Sequence, residues 1–224
     1  MKPTFFITGT DTGVGKTILT ALLAQFLRAR GVKVAAFKPV CSGGRGDAMS
    51  LCAALEGALT LDEINPWHFR AAIAPALAAK LENKPVKLAV VLAHLRALRE
   101  KFDVTLVEGA GGLLSPLGDN FDSRDLIVGL RATPIIVAQN RLGAVNHILL
   151  TLEALPKILR ARTKVVLMSP AKPDSATASN ARLLAQFFPP KKIFTLPWLG
   201  RKFSPADTLK NPRIKETLAA LLAV

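Results

Sequence analysis

Gly9-Thr-Asp-Thr-Gly-Val-Gly-Lys-Thr17 is the stretch on which the reading of this 224-residue chain turns. A loop that wraps phosphate needs small residues, so that successive backbone N–H groups can converge on the oxygens. It then needs a Lys for the β- and γ-phosphates and a Ser or Thr hydroxyl for Mg²⁺. Gly13, Gly15, Lys16 and Thr17 supply these in order. Thr10 stands where the usual pattern has its first glycine, with Gly9 one residue earlier. The flanks give the required context. Thr4–Thr8 is a short apolar, β-rich run and reads as a strand. Thr17–Arg30 carries Ile18, Leu22 and Phe26 at helical spacing and stops at Gly31. The start of that helix adds its own partial positive charge to the loop.

Outward from this core the chain alternates strand and helix. Val32–Val40, Val104–Val107, Pro134–Ala138, Val165–Met168 and Ile193–Leu196 read as strands. Asp47–Leu55, Val86–Glu100, Ser123–Leu130, Val145–Leu159, 176–187 and 212–223 read as helices. Residues 57–84, with Pro66 and Pro75, read as an irregular excursion with a short helix around 72–80. The strands are continuous apolar runs, as expected where both faces are buried. The prediction is a single α/β domain over residues 1–224: a three-layer, P-loop NTPase-type fold, its mainly parallel sheet covered by helices on both faces.

In such a sheet, ligands bind beyond the carboxyl ends of the strands. Two further strands end on polar residues there: Lys38-Pro-Val-Cys-Ser-Gly43 and Glu108-Gly-Ala-Gly-Gly112. Lys38, Glu108 and the loop should share one rim. Glu108 and Asp47 are candidate carboxylates for Mg²⁺ alongside the Thr17 hydroxyl. The competing readings are a helix N-cap for Asp47 and a strand-end hydrogen bond for Glu108. His147 reads as structural or capping, and Cys41 as a small filler with no visible activating base. Trp198 reads either as core or as a wall of a base pocket.

Composition narrows the rest. Two cysteines make no disulfide framework, which points to a reducing cytoplasm. No apolar run approaches the roughly 18 residues of a membrane helix, and Phe5–Ile7 is too short for a secretory leader. The net charge is +14. Residues 150–224 carry 13 Lys and Arg against four Asp and Glu, but they are dispersed, without interleaved aromatics and without any Tyr. That pattern reads as a solvated basic surface rather than a nucleic-acid site.

Taken together, Gly9–Thr17, Lys38-Pro-Val-x-Ser-Gly43, Gly46-Asp-Ala48, Val107-Glu-Gly-Ala-Gly-Gly112, Arg141-Leu-Gly-x-Val-Asn-His147 and Pro197-Trp-Leu199 resemble dethiobiotin synthetase. The match runs in order from residue 4 to about 200. The resemblance implies ATP- and Mg²⁺-dependent closure of a ureido ring from 7,8-diaminononanoate and CO₂, a ligase reaction of biotin biosynthesis that releases ADP and phosphate. It implies that Lys16 and Lys38 are the catalytic cations, with Lys38 on the carbamate and the migrating phosphoryl group. Gly13, Val14, Gly15, Lys16, Thr17 and Ile18 would surround the nucleotide phosphates. Asp47, Glu108, Gly109, Ala110 and Gly111 would complete the nucleotide side, with Thr17, Asp47 and Glu108 on Mg²⁺. Pro197, Trp198 and Leu199 would lie beside the base. Thr12, Ser42 and Gly111 would bind the diamine or carbamate end. Leu142, Gly143 and Asn146 would meet the substrate's carboxylate tail across a homodimer interface. Two departures stand out. Gly13 replaces a Glu found in some members, and Ser169-Pro170 replaces the base-reading Asn-Asp pair, whose amide both donates and accepts.

The alternative from another class is a deviant P-loop partitioning-type ATPase bound to a polyanionic surface. It predicts a signature Lys early in the loop, where this chain has Thr10-Asp11. A cobyrinate-type amidotransferase would need room for a glutaminase domain. A regulatory GTPase would need Asn-Lys-x-Asp, and Asn83-Lys84 runs instead into Pro85-Val86.

Overall fold

The computed structural model describes residues 2–223. β1 (Thr4–Gly9) leads through the glycine loop into α1 (Lys16–Arg28), then β2 (Val34–Phe37) and β3 (Val40–Ser42). α2 (Gly46–Leu55), α3 (Leu61–Ile64), β4 (Trp67–Phe69), α4 (Pro75–Leu81) and α5 (Leu88–Arg99) precede β5 (Val104–Glu108). There follow α6 (Ser123–Leu130), β6 (Thr133–Gln139), α7 (Ala144–Glu153), α8 (Lys157–Arg160) and β7 (Lys164–Met168). The chain closes with α9 (Ser175–Leu184), β8 (Ile193–Leu196), α10 (Pro205–Thr208) and α11 (Pro212–Leu222).

Six strands form one parallel sheet in the order β2-β5-β1-β6-β7-β8. Parallel neighbours require crossover connections, and these cover both faces. α1, α2 and α11 pack on one side; α5, α6, α7 and α9 pack on the other. β1 is buried along its whole length, as is β2. The apolar runs seen in the sequence are therefore the middle layer. Strand order reverses direction at β1: the chain first crosses to β2 on one side, and later to β6, β7 and β8 on the other. The loop after β1 opens at that switch point, where a crevice forms between the diverging connections.

Three expectations need correction. The Val32–Val40 strand is two strands. Pro39 has no N–H to continue a ladder, so the chain leaves β5 after Phe37; β3 pairs instead with β4 in a separate two-stranded parallel sheet. Residues 57–84 are more regular than expected, holding α3, β4 and α4. Thr60 and Glu63 form a reciprocal capping box at the start of α3, a signal present in the sequence as Thr-x-x-Glu. The Val145–Leu159 helix stops at Glu153, because Pro156 disfavours helical geometry just before it, and resumes as α8. Smaller shifts occur elsewhere: α9 ends at Leu184 rather than 187, and α10, capped by Ser204, adds a turn not expected from the sequence.

Ile136 is fully buried in β6 at the centre of the sheet. Ile136→Ala should cost about 3 kcal/mol by lost transfer energy and an unfilled cavity, read as a lower urea midpoint at unchanged slope. Leu183→Ala, at an exposed site on α9, should stay within about 0.5 kcal/mol of the parent in the same titration.

Candidate functional site

The register of the sheet assembles the site. Phe37 pairs with Val107 across β2 and β5, so the next residue of each chain segment, Lys38 and Glu108, stand side by side at the carboxyl rim. Lys38 Nζ lies 2.7 Å from Glu108 Oε1 and 2.6 Å from Asp47 Oδ2. Thr17, in the first turn of α1, donates its hydroxyl to the same Glu108 Oε1 at 2.7 Å. Glu108 is fully buried, and its other oxygen, Oε2, has no hydrogen-bond partner among the described residues. Asp47 is in the first turn of α2 but does not cap it; the N-cap position is Arg45, and the carboxylate turns to Lys38.

The loop has the conformation its glycines allow. Gly13 and Gly15 have φ of 72° and 101°, the left-handed region that L side chains avoid. A Cβ at Gly9 would come within 2.8 Å of Val14 and 3.1 Å of Lys16 Nζ. The close approach therefore falls one residue earlier than the usual pattern, which is why Thr10 is tolerated. Lys16 is buried, its ammonium donating to the Asp11 carbonyl at 2.7 Å. Burial, reinforced by the nearby charge of Lys38, pushes its pKa down to about 8. Lys38 goes the other way. Burial opposes its charge, but Glu108 and Asp47 outweigh it and hold the ammonium above the ordinary lysine value. For Asp47, burial is likewise outweighed, by Lys38 and then by hydrogen bonds from Lys38 and Thr17, leaving its carboxyl below the usual range.

These groups face a cavity of about 760 Å³. Thr12, Gly13, Gly15, Lys16, Thr17, Ile18, Lys38, Ser42, Asp47, Ala110 and Gly111 all lie on its wall. The Ser42 hydroxyl donates to the Ile73 carbonyl at 2.5 Å. Cys41 also lines the cavity, but burial raises its thiol pKa, and the thiol is engaged with Gly44 and Asn65. It is a filler, as expected. Gly109 is not on the wall; a Cβ there would meet Ser123 Oγ at 2.7 Å and the Phe6 ring at 3.1 Å, so its smallness serves packing. A second, smaller cavity of about 250 Å³ opens on the far side of the loop. Val14, Gln139, Met168, Ser169, Pro170, Pro197, the half-exposed Trp198 and Leu199 surround it. Leu142, Gly143 and Asn146 belong to neither cavity: they sit on and before α7, and Leu142 is among the most exposed apolar side chains. His147 is exposed on the same helix.

Sequence reasoning missed the support beneath Lys38. Asn65 is fully buried; its amide donates to the Lys38 carbonyl at 2.7 Å and accepts from Arg45 at 3.2 Å. The Lys38 N–H donates to Ile64. Gln139, reaching across to the Gly13 carbonyl at 3.2 Å, was missed as well.

An anion-gathering loop at the head of a helix, two lysines and two carboxylates at one strand rim, with a smaller, mostly apolar cavity alongside, define a P-loop nucleoside-triphosphate enzyme. A family model described as an AAA domain matches residues 3–202. The fold is shared with the pNOB8 ParA in its complex with nonspecific DNA, at a TM-score of 0.61 and 15% identity over 99% of this chain and 98% of that one. Sequence similarity is far higher elsewhere. The ATP-dependent dethiobiotin synthetase of Anaeromyxobacter sp. (strain Fw109-5) is 43% identical over 173 residues, 75% of this chain and 78% of that protein. That of Methanocaldococcus jannaschii is 40% identical over 154 residues, 67% of this chain and 72% of that protein. The chain belongs to the dethiobiotin synthetase family.

The lowered Lys16 pKa sets a pH dependence. An anion held by Lys16 favours its charged form, so affinity should be flat below about pH 8 and weaken as pH rises through it, approaching about tenfold per unit. Titrating ADP against the protein from pH 7 to 9.5 should show that break, and Lys16→Met should abolish it.

Proposed function

We propose that the larger cavity is where this chain closes the ureido ring of dethiobiotin from 7,8-diaminononanoate, CO₂ and ATP, as a single P-loop domain acting in biotin biosynthesis. The observation that carries this reading is the pairing of Lys38 with Glu108 and Asp47 beside the phosphate loop. It puts a second cation beside the phosphate loop, suited to an anionic carbamate that must be phosphorylated. One substrate amine attacks CO₂ and loses a proton, giving a carbamate. A carbamate oxygen attacks the γ-phosphorus, and ADP leaves. The second amine then attacks the carbonyl of the mixed anhydride, expels phosphate and sheds its proton.

Each residue has a place in this scheme. The loop amides and Lys16 hold the phosphates, and Lys38 neutralises carbamate and phosphoryl oxygens that would otherwise repel one another. Thr12, Ser42 and Gly111 orient the diamine end. Thr17, Asp47 and Glu108 fit Mg²⁺: they are oxygen donors on one spot, and Glu108 Oε2 is a buried oxygen without a partner. Mg²⁺, when bound there, would supply charge neutralisation on the phosphates. Pro197, Trp198 and Leu199 wall the base. The first turn of α7 has no side-chain cap, and Gly143 precedes it at φ 87°. Its free amides suit a carboxylate tail. Because they lie outside this chain's cavity, they serve a neighbouring subunit, and exposed Leu142 and Leu150 give the contact its apolar part.

Among the described residues no helix is long and apolar enough to cross a membrane, and both cysteines are free; we place the enzyme in the cytoplasm. The basic residues after 150 line neither cavity, which leaves the partitioning-type alternative resting on fold alone.

Incubation with diaminononanoate, bicarbonate, Mg²⁺ and ATP should yield dethiobiotin by mass spectrometry; its absence overturns the substrate reading. Lys38→Ala should lose turnover while nucleotide binding survives. Ser169 cannot reproduce an amide's paired donor and acceptor. The ratios of kcat/KM among ATP, GTP and CTP should accordingly stay small, and a preference for ATP above ~100-fold, about 2.7 kcal/mol, would contradict that account of the base cleft.

A further inference from the structure

Lys38 stands on both carboxylates that are assigned to the metal, leaving Glu108 Oε2 as the open oxygen of the buried one. Its ammonium touches Asp47 Oδ2 and Glu108 Oε1, and Thr17 shares that Glu108 oxygen. Glu108 is fully buried and Lys38 nearly so. Glu108, with no solvent around it, needs a cation beside its charge, and Asp47 shares that cation from the half-exposed mouth of the cluster. In the protein free of nucleotide, Lys38 is that cation. A divalent ion held by these carboxylates would set its charge beside the ammonium, so each would weaken the hold of the other on the cluster.

Resting on the metal assignment above, we propose that Lys38 is an exchangeable counter-ion: it fills the metal position until metal and nucleotide arrive, and is then displaced into the substrate cavity. The anchoring of the residue makes this a side-chain movement only. The Lys38 N–H is tied to Ile64 and its carbonyl to Asn65, so the backbone stays in register with β5. The four-carbon stem is the flexible part, and Lys38 already lines the cavity that Thr12, Ser42 and Gly111 share. The device orders the reaction. Before the metal is in place, the ammonium needed by the carbamate is held by Asp47 and Glu108. Afterwards it is released at the point where the carbamate will lie.

Lys16 is the natural control. It is a second buried cation of the same cluster, but its ammonium is hydrogen-bonded to a backbone carbonyl rather than to the carboxylates. The test is Mn²⁺ binding in the absence of nucleotide, with free Mn²⁺ counted from its electron paramagnetic resonance signal. Lys38→Met should bind Mn²⁺ at least about tenfold more tightly than the parent, since metal entry no longer requires an ammonium to leave. Lys16→Met should tighten it by less than about threefold, the effect of charge removed at a distance. No gain in Lys38→Met, or an equal gain in both variants, overturns the exchange. Melting curves check folding, and Lys38→Gln, which keeps a donor for Glu108, carries the same comparison if Lys38→Met is unfolded. Dethiobiotin formation by the parent enzyme is scored separately, so a wrong substrate and a wrong exchange give different results.

Discussion

A fully buried carboxylate at the end of β5 governs the architecture of the site. Glu108 has no solvent to hold its charge, and leaving such a group uncompensated costs several kcal/mol. Its compensation comes from two separate parts of the chain, Lys38 at the end of β2 and Thr17 at the head of α1, while Asp47 on α2 shares the Lys38 ammonium. β2 must therefore lie against β5 in the observed register. α1 must start where the loop after β1 ends, and α2 must turn its first residues inward. The hydrophobic layer holds these elements together, but the charge cluster specifies their alignment at the rim. A one-residue slip of β2 would turn Lys38 to the opposite face of the sheet.

Much of this was legible locally. The glycine loop, its strand and its helix are contiguous, and the features that define them are composition and spacing. Lys38 and Glu108 were legible for a related reason: each is a charged residue closing an apolar run, and the fold class says where strand ends meet. What the sequence concealed was support from a distance. Asn65 holds the Lys38 carbonyl from 27 residues away, and nothing in Ile64-Asn65-Pro66 marks its amide as aimed there. The β3–β4 pair was hidden likewise, because three-residue strands carry too short a pattern to separate from loop. Pro39 and Pro156 were visible but were read through, and each breaks an element by removing a donor or disfavouring the preceding geometry. Asp47 shows the ambiguity of a single acidic residue near a helix start, where cap and ligand look alike until the side chain's partner is known.

Fold and family separate cleanly here. The ParA of pNOB8 shares the fold at 15% identity, whereas the two dethiobiotin synthetases named above are 43% and 40% identical over 75% and 67% of the chain. The common part is the layered fold. In this chain the side chains of the candidate site come from the ends of β2 and β5 and from the first turns of α1 and α2, consistent with function residing in sites carried on widely reused folds. The high positive charge follows the same division. The cations proposed to act are two buried lysines, and the basic residues after 150 lie outside both cavities.

The wall of the smaller cavity has an optical consequence. The chain has two tryptophans and no tyrosine, so its indole emission comes from Trp67 and Trp198 without overlap from a phenol. Trp67 is partly covered and packed edge-on against His94, and it is not among the residues lining the smaller cavity. Trp198 is half open to water on the wall of that cleft. Any planar aromatic group entering there displaces water from one indole and leaves the other in its surroundings. The native molecule thus carries a built-in fluorescent reporter of its own occupancy, with a second indole as internal reference.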